Sequence, residues 1–223
     1  MKSCGRINPG TRVAGSALLA ILCSVFCCLV SCSGEDDASY PSLVTELVMA
    51  QADGRGCMAS FTTDAGTTYT VENEIKGMKA SSLLRALCSY LVIDANYARV
   101  YQAQAVPILW NLTGNQTLPR DPTGIQSAWL AGGFVNMHLT PKTQGGQQAW
   151  GFMQDSVTAN QSGGKTFHLA LCHDQQSDMA AYSTEVYASI SLDSLSATPT
   201  SLDSITLAVN TFQGTAVWRF PVP

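Results

Sequence analysis

The densest run of chemically versatile side chains is His173-Asp174-Gln175-Gln176-Ser177-Asp178. With His138 or His168 it offers ligands for a metal ion, and His173 with Asp178 offers an acid–base pair. Zinc takes three or four N, S or O ligands in a closed geometry, and calcium takes more oxygens and a glycine turn. The run supplies only two carboxylates and does not follow the calcium-loop pattern. His173, Asp174 and Asp178 stand as metal candidates, but the preferred reading is a turn closing a strand, in which Asp174 and Asp178 accept hydrogen bonds from backbone N–H groups. No metal or other cofactor is expected.

Other chemistry-bearing motifs are incomplete. Ser162-Gly163-Gly164-Lys165-Thr166 looks like the end of a phosphate-binding loop, but Ala159 stands where the first glycine belongs. A strand, Thr166 to Cys172, follows where that motif requires a helix, so a hairpin turn is expected. Asp155-Ser156-Val157, Asp193-Ser194-Leu195 and Asp203-Ser204-Ile205 match a short Asp-Ser-apolar O-glycosylation pattern, making Ser156, Ser194 and Ser204 candidates wherever the serine is exposed. Asn111-Leu112-Thr113 and Asn115-Gln116-Thr117 fit the N-glycosylation pattern but read better as linker. The sequence has no G-x-S-x-G, no H-E-x-x-H and no dinucleotide-binding glycine loop. A non-enzymatic protein is expected. Trp110, Trp129, Trp150 and Trp218 offer a platform for a ligand, or else fill the core.

The clearest covalent chemistry belongs to Cys32. Lys2, Arg6 and Arg12 precede an apolar run, Ala17 to Val30, and Leu29-Val30-Ser31-Cys32 ends it. A basic start, a short apolar stretch and a small residue before the cut form a secretory signal. The run is about 14 residues, against about 20 for a spanning helix. The cysteine at its end makes the pattern a lipobox, with Cys32 acylated as the first mature residue. Two or three acyl chains, at roughly 0.8 kcal/mol per buried CH2, hold a protein firmly in a bilayer. Ser33-Gly34-Glu35-Asp36-Asp37 follows as an acidic tether and resembles a surface-export signal, without the lysine often seen there. The expected location is the outer membrane, lipid-anchored and facing outward, with the periplasmic face as the alternative.

The mature chain keeps nine of the twelve Lys and Arg and all sixteen Asp and Glu, a formal charge of −7. With no basic stripe, nucleic acid is not an expected partner. The expected partners are the bilayer, through Cys32, and a protein or glycan ligand. Cys57, Cys88 and Cys172 remain after processing, an odd number. Cys57 and Cys88 could pair in an oxidising compartment, or all three could be small core residues.

The elements that must position these residues are short and β-like. Leu43 to Ala52, Cys57 to Thr62, Thr67 to Val71 and Ala98 to Pro107 are strand candidates joined by Gly/Asp turns. Ser82 to Ile93 fits both a helical face (Leu83, Leu84, Leu87, Leu91) and a strand face (Ala86, Cys88, Tyr90, Val92), with strand favoured in its second half. Leu112 to Gly124 has linker composition. Beyond it Val135, Met137 and Leu139 alternate with Asn136, His138 and Thr140. Phe167, Leu169 and Leu171 alternate with His168, Ala170 and Cys172, and Ile205, Leu207 and Val209 form one face of a later strand. This spacing suits a β-sandwich.

Several pieces in this order resemble the NigD-like lipoproteins of Bacteroidetes. They are the lipobox and tether, Tyr40-Pro41-Ser42-Leu43-Val44-Thr45-Glu46-Leu47, Asp64-Ala65-Gly66 with Tyr69, Arg85-Ala86-Leu87-Cys88-Ser89-Tyr90, Asp121-Pro122 before Ser127-Ala128-Trp129, Phe134-Val135-Asn136-Met137, the His173 to Asp178 run, and Asp203-Ser204-Ile205 with Asn210-Thr211. The resemblance implies an all-β chain, an OB-type small barrel followed by an antiparallel β-sandwich, and makes Arg85 to Ile93 a strand. The expected organisation is 1–31 signal peptide, 32–42 tether, 43–110 barrel, 111–124 linker and 125–223 sandwich. The family name derives from a bacteriocin locus, which implies immunity, or an accessory role at a secreted-peptide locus, as the alternative to general ligand binding. A metal-dependent hydrolase is the remaining alternative. The resemblance carries over no catalytic residues.

Overall fold

A computed structural model describes residues 42–113, 118–161 and 163–223. The expected signal peptide (1–31), Cys32 and the expected Ser33 to Asp37 tether lie outside the described residues. The strands are β1 (Val44–Ala52), β2 (Met58–Thr63), β3 (Thr68–Val71), β4 (Leu83–Val92), β5 (Tyr97–Ala105), β6 (Ile108–Leu109), β7 (Gly124–Ala131), β8 (Phe134–Thr140), β9 (Lys142–Thr143), β10 (Ala149–Ala159), β11 (Lys165–Asp174), β12 (Tyr182–Ser183), β13 (Val186–Ser191), β14 (Ser204–Thr211) and β15 (Gly214–Pro221). The fold is all-β, and the one helical element among the described residues is a 3-10 turn at Leu192–Ser194.

The first five strands close into a barrel in the order β1-β2-β3-β5-β4, with β4 returning to pair with β1. Small inward residues, Ala50, Ala86 and Ala98, leave room for three rings in its interior. Phe61, Tyr69 and Tyr90 fill it with centroids 4.7–5.8 Å apart. Tilted aromatic packing of this kind adds about 0.5–1.5 kcal/mol per pair beyond area burial. The whole of Leu83–Val92 is strand, because Ala86, Cys88 and Tyr90 alternate into this core and no helix could bury them together.

Two four-stranded sheets, β10-β11-β14-β15 and β6-β13-β8-β7, form the sandwich. Their pairs are antiparallel except β11–β14 and β6–β13, which run parallel. Val135, Met137, Leu139, Phe152, Phe167, Leu169, Ile190, Ile205 and Leu207 are buried in one core between the sheets. Each such side chain contributes about 1.5–3 kcal/mol on leaving water. Ile108–Leu109 joins the sandwich through β13 rather than the barrel. The stretch of linker composition is stitched to the same domain, through bridges from Asn111 to Phe152 and from Arg120 to His173.

Candidate functional site at the barrel–sandwich seam

His173 sits at the end of β11, where Asp174 caps its own turn by accepting from Gln176 N–H at 2.8 Å. Asp178 reaches back across the fold to accept from the Thr143 hydroxyl, from Gln144 N–H at 2.9 Å, from Gly146 N–H at 3.1 Å and from Gln148 Nε2 at 2.7 Å. Those bonds, the Thr143 hydroxyl first, pull its carboxyl down to about 2. Gln148 links the two ends of the run, since its Nε2 donates to Asp178 while its Oε1 faces His173 Nε2 at 2.9 Å. His173 Nδ1 faces the Asp121 carbonyl at 3.2 Å, and the ring stacks on Trp150 at 3.9 Å between centroids. Burial pushes the His173 pKa below the usual value, against the opposing Asp121 bond and nearby carboxylates. The run fastens loops: Asp174 and Asp178 both accept from backbone N–H groups, and no group of three or more His, Cys, Asp or Glu able to hold a metal occurs among the described residues.

The other candidates lie apart from it. His168 is held between two hydroxyls, Thr158 and Thr206, each at 2.9 Å. His138 stacks on Tyr187 at 4.3 Å, with Nε2 3.6 Å from Glu185 Oε2. Ser162 lies outside the described residues, but Asn160 N–H bonds Gly164 O at 2.9 Å, closing the β10–β11 hairpin. Of the three Asp-Ser-apolar serines, Ser156 is exposed, whereas Ser204 is partly buried and Ser194 is partly buried with its hydroxyl donating to Ser191 O. Cys57, Cys88 and Cys172 are unpaired, buried thiols. Trp110 is exposed, and Trp150 and Trp218 pack against the sandwich core.

A site assembled from distant residues lies where barrel and sandwich meet. Alternation along β4 turns Ala86 and Cys88 inward and Arg85 and Leu87 outward; alternation along β8 turns Val135 and Met137 into the sandwich and Asn136 away from it. Arg85 and Asn136 are nonetheless fully buried, because these two outer faces cover one another. Arg85 donates to both oxygens of Asp64, at 2.6 and 2.7 Å, and to Asn136 Oδ1 at 2.9 Å. Its guanidinium lies 4.4 Å from the Phe134 ring centroid. Ser189 donates to the same Asn136 oxygen at 2.7 Å. The β7–β8 hairpin approaches Asp64 so closely that a Cβ at Gly132 would collide with the carboxylate, and Gly132 has a φ of +61°.

Beside this clasp a cavity of about 340 Å3 opens between the domains. Thr45, Glu46, Leu47 and Leu87 form its barrel wall, Trp129 and Tyr187 its sandwich wall, and Asp64 lies between them. Glu46 accepts from the Tyr90 hydroxyl through one oxygen at 2.5 Å. Aromatic walls with a few fixed polar groups, in a cleft between domains, are the usual make-up of a ligand site. The cavity offers two carboxylates, Glu46 and Asp64, and the ring faces of Trp129 and Tyr187. Sequence periodicity alone gives no sign of it, since its residues come from β1, β4, β7, β13 and the β2–β3 turn.

Residues 107–220 match the family model for the NigD-like C-terminal beta sandwich domain. No curated protein matches the chain. Among solved structures, it is similar to a NigD-like immunity protein from Bacteroides caccae at 23% identity and a TM-score of 0.59, over 82% of this chain and 93% of that one. A toxin-related protein from Parabacteroides distasonis matches at 14% identity and a TM-score of 0.64, over 80% and 92% of the two chains. A protein provisionally named a lipoprotein, from Bacteroides fragilis, matches at 10% identity and a TM-score of 0.55, over 81% and 97%. At these identities the likeness is one of fold.

Proposed function

The chain belongs to the NigD-like family, and on that premise we propose that it is a lipid-anchored protein of the cell envelope that binds a partner without catalysing a reaction. The observation that carries binding is the seam cavity, with Trp129 and Tyr187 facing Glu46 and Asp64 across a junction clamped by Arg85. The anchor is Cys32, acylated at the outer membrane with the protein facing outward, and the acidic Ser33 to Asp37 run lies in the sequence between it and the β domains. The structural likeness to a protein named as a lipoprotein is in keeping with this reading.

A photo-crosslinking residue at position 187, in cells producing the full chain, captures a discrete partner under this proposal, and the same residue at exposed Val217 does not. Equal capture at both positions, or none at 187, refutes the cavity as the binding site. Fractionation of Cys32→Ala tests the anchor: the variant leaves the membrane fraction, and unchanged fractionation refutes lipidation at this residue. Added protease removes the protein from intact cells if it faces outward.

A second reading, bacteriocin immunity, draws on the family and on the likeness to a protein named as an immunity protein. It predicts that deletion sensitises the cell to a toxin encoded nearby, and that changes at Trp129 or Tyr187 reproduce that sensitivity.

A further inference from the structure

The outer face of the sheet β10-β11-β14-β15 carries a second cavity, of about 450 Å3, remote in sequence from the seam residues. Strand register sets Ser156, His168, Thr206 and Arg219 in a single row across all four strands. His168 and Arg219 line the cavity together with Thr158, Thr166 and Ser204.

Two features of this row point to an anion, and a third fixes the wall beside it. Arg219 is exposed, and no side-chain hydrogen bond or ion pair engages its guanidinium among the described residues, in a chain where acids outnumber bases sixteen to twelve. The acids on neighbouring elements are already committed. Asp155 pairs with Arg120 at 2.7 Å, and Asp203 accepts from Lys165 N–H at 2.6 Å and from Thr200 N–H at 2.7 Å. Finally, both ring nitrogens of His168 face hydroxyls, at 2.9 Å each. A hydroxyl can donate or accept, so the two bonds hold the ring in place in either tautomer.

We propose that this face binds a sugar carrying an oxyanion, a carboxylate or a sulfate ester. The anion pairs with the Arg219 guanidinium, whose fork of donors suits both groups. His168, fixed by its two hydroxyl partners, forms the wall beside it. The sugar's hydroxyls meet Thr158, Thr166 and Ser204, in a wall too polar for an apolar ligand. The site is independent of the anchor and of the seam cavity, and it stands if either of those proposals fails.

The test is calorimetric titration of the purified full chain with glucuronate, with glucose 6-sulfate, with glucose and with inorganic sulfate. Saturable binding of one or both charged sugars is expected, at least tenfold tighter than either glucose or free sulfate, and which sugar binds identifies the anion. Arg219→Gln is expected to weaken that binding at least tenfold, while Trp129→Ala at the seam leaves it unchanged. Because Arg219 is exposed, circular dichroism of Arg219→Gln should match the parent; if it does not, Arg219→Lys, which keeps the charge, serves in its place with an intermediate loss expected. Equal affinity for glucose, for free sulfate, or for the Arg219 variant overturns the proposal, as does no binding of either charged sugar.

Discussion

The guanidinium of Arg85 grips both carboxylate oxygens of Asp64, at 2.6 and 2.7 Å, with its side chain wholly withdrawn from solvent and that of Asp64 nearly so. Both residues belong to the barrel, yet the pair is completed by Asn136 and Phe134 of the sandwich. A buried ion pair often contributes little over an apolar replacement, but removing one partner strands the other charge. Its value here is in fixing how two domains meet, and hence the shape of the cavity beside it.

Arg85→Met is expected to destabilise the protein by about 3–5 kcal/mol, the usual cost of breaking a buried pair from one side. The double variant Arg85→Met/Asp64→Leu should recover much of that loss, because no charge is left unpaired. Arg85→Lys should fall between, since an ammonium cannot serve two carboxylate oxygens and Asn136 in the fork geometry. Urea denaturation of the three variants checks the order.

Gly132→Ala isolates the geometry of the seam from its charge. The left-handed backbone at Gly132 and the collision with Asp64 both penalise a methyl group. Strain of this kind costs about 1–3 kcal/mol. Gly133→Ala, at a φ of +80° but with open space around it, should cost only the backbone part. A larger loss at 132 than at 133, by thermal melting, is the expected result.

The strands were legible because period-two alternation is local: Val135, Met137 and Leu139, or Phe167, Leu169 and Leu171, declare a common face within seven residues. What covers the opposite face is not local. Asn136 alternates with core residues as a solvent-facing side chain would, yet it is fully buried, because the barrel packs over it. Arg85 lies within a leucine-rich run that fits a helix as well as a strand, and its partners Asp64 and Asn136 are 21 and 51 residues away. The His173 to Asp178 run shows the reverse case. Its residue types offered a ligand set as the weaker alternative to a turn, and Asp178 accepts from backbone and side-chain donors of Thr143 to Gln148, a segment 30 to 35 residues earlier that the sequence did not point to.

Acid should loosen that region in two separable steps. Burial lowers the folded pKa of His173, so as pH falls below about 6.5 the unfolded chain takes up a proton that the folded chain refuses, and stability declines until the folded value is reached. Asp178 behaves in the second window. Its contribution is complete above the ordinary carboxylate value of 3.8 and is lost as pH falls towards about 2. His173→Gln should flatten the stability profile between pH 7 and 5 while leaving the lower step in place, and Asp178→Asn should do the opposite. Urea midpoints measured across pH 2.5–7.5 distinguish them.

The thiols report on the seam from within. Only a thiolate attacks an alkylating reagent, and burial, then the charge of Glu46, pushes the Cys88 pKa up to about 11. Cys172 is raised by burial as well. Both are at 0% exposure, but Cys88 lies in the barrel core, whereas Cys172 alternates away from the sandwich core on β11 and is covered beside Arg120. Labelling by iodoacetamide at pH 8 therefore requires opening of the barrel at Cys88 and lifting of the segment around Arg120 at Cys172. Cys88 is three residues from Arg85 on the same strand, facing the opposite way. Arg85→Met should therefore accelerate labelling of Cys88 by at least tenfold while changing Cys172 far less, if the clasp stabilises the barrel it belongs to. Mass spectrometry of each cysteine peptide over time measures both rates at once. Rapid labelling of Cys88 in the unaltered protein would contradict its place in the barrel core, and equal acceleration at both thiols would mean that the barrel and the segment covering Cys172 open together.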